Sequence, residues 1–184
     1  LSGLGLQRRP SLWRQLDAAS RYAWPAAFLV FGLLVIGLPL GLPIDQPNQA
    51  VLRPAYAMAC VYFWSLYRPA SLPAPIVALT GILLDLLGMS PLGLWAVLLL
   101  ILQGATLASR RRLIPLTFSL NWLVFCAFAI TASAIAWAAQ SALSLSILPA
   151  TPLIAQCLAA CGFYPALSGL FIRAHRGAAA AELA

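Results

Sequence analysis

From Tyr22 to Ile172 one apolar stretch follows another, and only short breaks rich in proline, glycine or arginine separate them. A soluble chain with this pattern would lack the side chains for a polar exterior. Only 8% of the residues are charged, 62% are hydrophobic, and the mean hydropathy is +0.92. Ordinary soluble domains carry about 25% charged residues. Lipid is therefore expected to be the main solvent, and the backbone must satisfy its own hydrogen bonds inside it. A spanning helix needs about 20 residues, so a chain of this length holds about six or seven spans with short loops and no separate catalytic domain.

The expected fold is an all-α membrane protein, an irregular bundle of about six transmembrane helices. Residues 1–21 read as a cytoplasmic segment, with a candidate interfacial helix from Ser11 to Arg21 whose Leu12, Trp13, Leu16 and Ala19 share one side. Arg8 and Arg9 ahead of Pro10 do not read as a cleaved signal. Residues 22–172 form the membrane domain. Its spans are expected at about Tyr22–Leu42, Arg53–Tyr67, Pro73–Leu87, Leu94–Ser109, Ile114–Gln140 and Pro152–Ile172, with a polar loop from Asp45 to Gln49. The second and third look short for a hydrocarbon core and are expected in a thinned or protein-covered place. Gly162 and Pro165 mark a bend in the sixth. Residues 173–184 are a cytoplasmic tail.

All eleven cationic side chains are arginines, and their placement sets the orientation. With six spans, ten of the eleven fall in the N-terminal segment, the second-to-third turn, the fourth-to-fifth turn and the tail; only Arg53 lies on the far side. Basic residues favour the cytoplasmic face, so both termini are expected there. The net charge of +7 is then a topology signal and does not call for nucleic acid.

Asp85 is the sole acid inside a span, in the third, about a turn from its outer end. Intramembrane acids are costly and raise the question of function. Arg53 opens the second span from the same side, so a structural ion pair is the leading expectation, with loop capping beside it and a proton relay the weaker alternative. Other intramembrane polar residues, among them Thr80, Gln103, Asn121 and Gln156, are expected to bridge helices. Cys60, Cys126, Cys157 and Cys161 lie in apolar stretches and read as core residues, without a disulfide framework. His175 is the sole histidine, so neither a catalytic triad nor a metal-ligand set is indicated, and no cofactor is expected. Ala132 with Ala136, and Ala155 with Ala159, place small residues one turn apart and are candidate contacts for a partner helix.

From Arg53 to Leu113 several elements fall in a fixed order: Arg53-Pro54, Tyr62 to Trp64, Pro69, then Gly81, Leu83 and Asp85, then Gly88 followed by Pro91-Leu92-Gly93. This segment, a third of the chain, resembles the MreD family of rod shape-determining membrane proteins. The resemblance implies a non-enzymatic part of the bacterial cell-elongation and peptidoglycan-synthesis complex, in the inner membrane. Its implied partners are a single-span MreC-like protein, the synthase RodA with a class B penicillin-binding protein, and, indirectly, MreB filaments. It also implies an architecture similar to the substrate-binding subunits of energy-coupling-factor transporters.

Three functions compete on this reading. The first is a membrane scaffold that binds other membrane proteins. The second is a small-solute, vitamin-type binding subunit of a transporter, which would need convergent polar and aromatic groups near the outer side. The third, an intramembrane enzyme, lacks a nucleophile, base or metal set.

Overall fold

The computed structural model describes residues 26–36, 46–88, 90–146 and 148–181, with the side chains of 46, 47 and 170–181 excepted. The expected interfacial helix at Ser11–Arg21, both ends of the first expected span, Asp45 and residues 182–184 lie outside the described residues. Among those described the chain is entirely helical: α1 (Ala26–Ile36), α2 (Gln46–Tyr67), a 3₁₀ turn (Pro69–Ser71), α3 (Ala74–Gly88), α4 (Leu94–Leu113), α5 (Phe118–Leu143) and α6 (Thr151–Ala181).

The arrangement is built around α2. Every residue from 53 to 66 is buried, so this helix has no outer face over that length. It packs against α3, α4, α5 and α6, and Tyr56 links it to α1. A helix enclosed on all sides can be apolar all round, as Ala55 to Phe63 are. Tyr56 lies directly under Gly32, in the space a β-carbon there would need, and its hydroxyl donates to the Phe28 carbonyl at 3.0 Å. On the α5–α6 side Tyr62, Phe125 and Tyr164 form an aromatic cluster, with ring centroids 5.0–5.5 Å apart.

Several boundaries differ from the sequence expectation. Residues Gln46 to Gln49, expected in a loop, are the first turn of α2. The helix is 22 residues long, about 33 Å at 1.5 Å per residue, so it is not a short span. Pro54 misled the reading: it lies inside the helix and not in its first turn. The third helix is short, at 15 residues. In α4 the three arginines do not end the helix but form its last turn, where their charge complements the negative end of the dipole. The last helix is assigned through Gly162 and Pro165 and on past Ile172 to Ala181. Pro165 has no N–H for the carbonyl four residues back, that of Cys161. The Trp122 indole N–H on α5 donates to that carbonyl at 2.9 Å.

Two helices, α4 and α5, are long and apolar enough to cross a membrane. Their apolar windows are only 39% and 28% buried by the rest of the chain. Val97, Ile101 and Leu107 on α4, and Leu123, Ile130 and Ile135 on α5, point outward. A soluble core helix would bury such side chains; an exterior like this suits lipid or a membrane partner.

The α3–α4 contact is the tightest backbone approach. A β-carbon on Gly81 would meet the backbone of Trp95 and Ala96, which cannot move aside as a side-chain tip can. Gly104, on the exposed side of α4, has nothing within 4 Å of the same position. Gly81→Ala should therefore destabilise the protein by about 1–3 kcal/mol, the usual cost of overpacking. Gly104→Ala should be neutral or slightly stabilising. Thermal unfolding in detergent micelles compares the two directly.

Candidate functional site

Helix ends leave backbone groups without partners, and in this chain side chains from neighbouring elements supply them. The clearest instance is the turn between α3 and α4. Asp85, in the last turn of α3, is 1% exposed. One carboxylate oxygen accepts the Gly93 N–H at 2.8 Å and the other accepts the Trp95 N–H at 3.1 Å. It thus caps the start of α4 from the preceding helix and places its charge at the positive end of α4's dipole. Gly93 has φ +94°, a left-handed conformation that favours glycine, and this turns its N–H back to Asp85. The Ser90 N–H closes the turn on the Asp85 carbonyl at 3.1 Å.

Arg53 reaches the same turn from α2. One terminal nitrogen donates to the Leu87 carbonyl at 2.8 Å, in the last turn of α3, and the other to Oε1 of Gln49 at 2.6 Å. Arg53 and Asp85 therefore hold one turn together, but through its backbone. Of the two roles expected for them, these bonds form the loop cap, and among the described residues they form no ion pair between the two side chains. The physical reason is local: a helix start offers two N–H groups to a carboxylate, and a helix end offers a carbonyl to a guanidinium.

The opposite end of the bundle uses the same device. Arg110 Nε donates to the Leu66 carbonyl at the end of α2, at 2.8 Å. Asn121 Nδ2 donates to the Leu113 carbonyl at the end of α4, at 3.0 Å, and its oxygens lie 3.4 Å from the Tyr62 hydroxyl. Gln103 donates to the Leu72 carbonyl before α3, at 2.7 Å. Trp137 donates to the Leu148 carbonyl before α6, at 3.1 Å. Gln156 joins α6 to α5 through Ser133 Oγ at 2.9 Å. Thr80, Thr106 and Thr131 instead bond to carbonyls of their own helices.

The structure gathers most of the motif residues into one unit. Gly81, Gly88, Pro91 and Gly93 all belong to the α3–α4 hairpin that Asp85 closes. Pro54 lies apart, on α2 beside a cavity. The four partner-contact alanines do not share one outer face. Ala132 and Ala136 are buried inside the bundle, Ala159 is half-buried against the core, and only Ala155 is exposed. Their spacing is helical, as expected, but α6 and α4 already cover α5 on that side, so Ala132 and Ala136 are corrected from partner contacts to internal ones. The cysteines are free: Cys60 is buried and the other three are half-buried. No group of three or more metal-ligating side chains occurs among the described residues.

The cavity beside Pro54 is about 300 Å³ and lies between the start of α2, the α3–α4 turn, the end of α5 and the start of α6. A second hollow of about 140 Å³ adjoins it; both are lined by Trp95, Gln140, Pro152 and Gln156. Arg53 is the one charged residue among the described lining. Sequence reasoning missed Gln140 and Trp95 here. The available signal was that Gln140 and Gln156 stand on either side of the α5–α6 connection, so an antiparallel pair brings both amides near one end.

Comparison with protein-family models, curated proteins and solved structures gives no match to this chain. The likeness of residues 53–113 to MreD thus rests on the quoted residues themselves.

If Asp85 is a cap, removing its acceptors costs more than removing its charge. Asp85→Ala should lose about 1–2 kcal/mol of stability. Asp85→Asn should lose less, because an amide oxygen still accepts one of the two N–H groups. Gly93→Ala should cost about 1–2 kcal/mol from its left-handed backbone. Chemical or thermal unfolding of the purified protein ranks the three.

Proposed function

We propose that this protein is a non-enzymatic scaffold of the bacterial inner membrane that holds a single-span, MreC-like partner in the cell-elongation complex. In this reading α1 to α6 are six spans and both termini are cytoplasmic. The arginine distribution supports that orientation: Arg110 is bonded to the end of α2, just before Arg68, so the turns with four of the arginines lie at one end of the bundle, opposite Arg53.

The observation that carries the reading is the direction of the side chains. Polar groups turn inward onto backbone at helix ends, while the outer faces are large and apolar. Such a surface pairs with other membrane helices by close packing and not by chemistry. Within it, α6 presents Ala155, Leu158, Gly162 and Ala166 outward, three or four residues apart, which is one helical stripe. Gly162 has nothing within 4 Å of its β position. This stripe replaces Ala132 and Ala136 as the proposed partner face and keeps Ala155 in it.

Gly162→Leu should leave folding intact and reduce co-purification with an MreC-like protein from native membranes at least severalfold. Ala132→Leu should instead lower thermal stability, because it overfills the α5–α6 interior. Normal co-purification of Gly162→Leu would remove the stripe. Failure of the wild-type protein to bind any MreC-like or synthase partner would remove the scaffold reading. The small-solute alternative has its own observation, the cavity at the Arg53 end, and would stand in its place.

A further inference from the structure

We infer that the cavity at the Arg53 end is a binding site for a small ring-bearing carboxylate. This goes beyond the scaffold reading and does not depend on it.

The inference begins with the polar groups that the helix ends do not use. Arg53, Asn121, Gln103, Arg110, Trp122 and Trp137 all donate to backbone carbonyls. Two side chains at the cavity are different. Neither the Gln140 amide nor the Trp95 indole N–H makes a hydrogen bond among the described residues, although Trp95 is buried. Gln156 is half committed: its nitrogen donates to Ser133 and its oxygen makes no further bond. In addition, Pro54 provides no N–H to the Ala50 carbonyl four residues before it, and Ala50 also lines the cavity. Buried or half-buried polar groups of this kind are costly unless something in the cavity meets them.

The lining selects the occupant. Donors dominate: an indole N–H, two amides and the cationic Arg53, whereas Asp85, the nearby acid among the described residues, has both oxygens on backbone N–H groups. An anionic acceptor fits that set better than a cation. The remaining walls are flat and apolar, from Trp95, Trp137, Pro54 and Pro152, and suit a ring. Water alone would satisfy the donors but not those walls. A volume of about 300 Å³, with the second hollow adjoining, is at the lower end of the range for small-molecule sites. The cavity lies where helices begin and end, so a ligand would enter from the aqueous side at that end of the bundle.

Benzoate and benzylamine, equal in size and opposite in charge, are suitable probes. Saturation-transfer NMR on the full chain in micelles should show saturable binding of benzoate and only non-saturable partitioning of benzylamine. Gln140→Leu breaks no bond of the described structure, so it should fold normally and weaken benzoate at least tenfold. Arg53→Gln should weaken it as well, with lower thermal stability because the bond to Leu87 is lost. Benzoate that fails to saturate, benzylamine that binds as well as benzoate, or benzoate binding unchanged in Gln140→Leu would each overturn the assignment. None of these outcomes bears on partner co-purification, so the scaffold reading stands or falls separately.

Discussion

A backbone N–H or carbonyl at a helix end, surrounded by apolar atoms, must find a partner or cost the fold several kcal/mol. That constraint organises this protein. Its plainest expression is the Asp85 carboxylate on the N–H groups of Gly93 and Trp95, which joins the end of α3 to the start of α4. Once that turn is fixed, Gly81 can meet the backbone of α4 directly, and the hairpin offers α2 a firm wall. Arg53 then ties α2 to the same turn, and Arg110 ties the other end of α2 to α4. The central helix is held at both ends by arginines that bond to carbonyls.

The same constraint shapes what the protein can do. A chain with this few polar side chains that turns most of them onto its own backbone keeps few for chemistry. Its outward faces on α4, α5 and α6 are aliphatic, which leaves contact with lipid and with other helices as the available interactions. The exception is the Arg53 end, where Gln140 and Trp95 keep unused polar groups around a cavity. Scaffold and ligand site are compatible, because the α6 stripe and the cavity use different faces of the bundle.

Much of the helical content was legible in the sequence, because lipid-facing helices need long apolar runs and the breaks between them carry proline, glycine or arginine. The limits were harder to read, for physical reasons. Pro54 looks like a helix start, yet it is tolerated inside α2, where the carbonyl it deprives lines a cavity and not the packed core. Arg110 to Arg112 look like a stop, yet they are favoured in the last turn of a helix. Arg53 and Asp85 were identified as a pair from charge alone. What decided their partners was the position of backbone groups at two helix ends, which depends on tertiary structure. Ala132 and Ala136 show the same limit: spacing gives the face of a helix but not what covers it. The cavity was invisible because Trp95, Gln140 and Gln156 come from three helices and carry no local motif.

The central claim is that Asp85 serves as the cap of α4. Amide hydrogen exchange at Gly93 and Trp95 tests it most directly, since these are the two N–H groups the carboxylate accepts. The account predicts slow exchange at both in the wild-type protein. In Asp85→Ala both should accelerate by about tenfold or more, as expected for a loss of about 1.4 kcal/mol or more, while amides in the middle of α5 remain protected. Fast exchange at both positions in the wild type, or rates unchanged by the substitution, would contradict it.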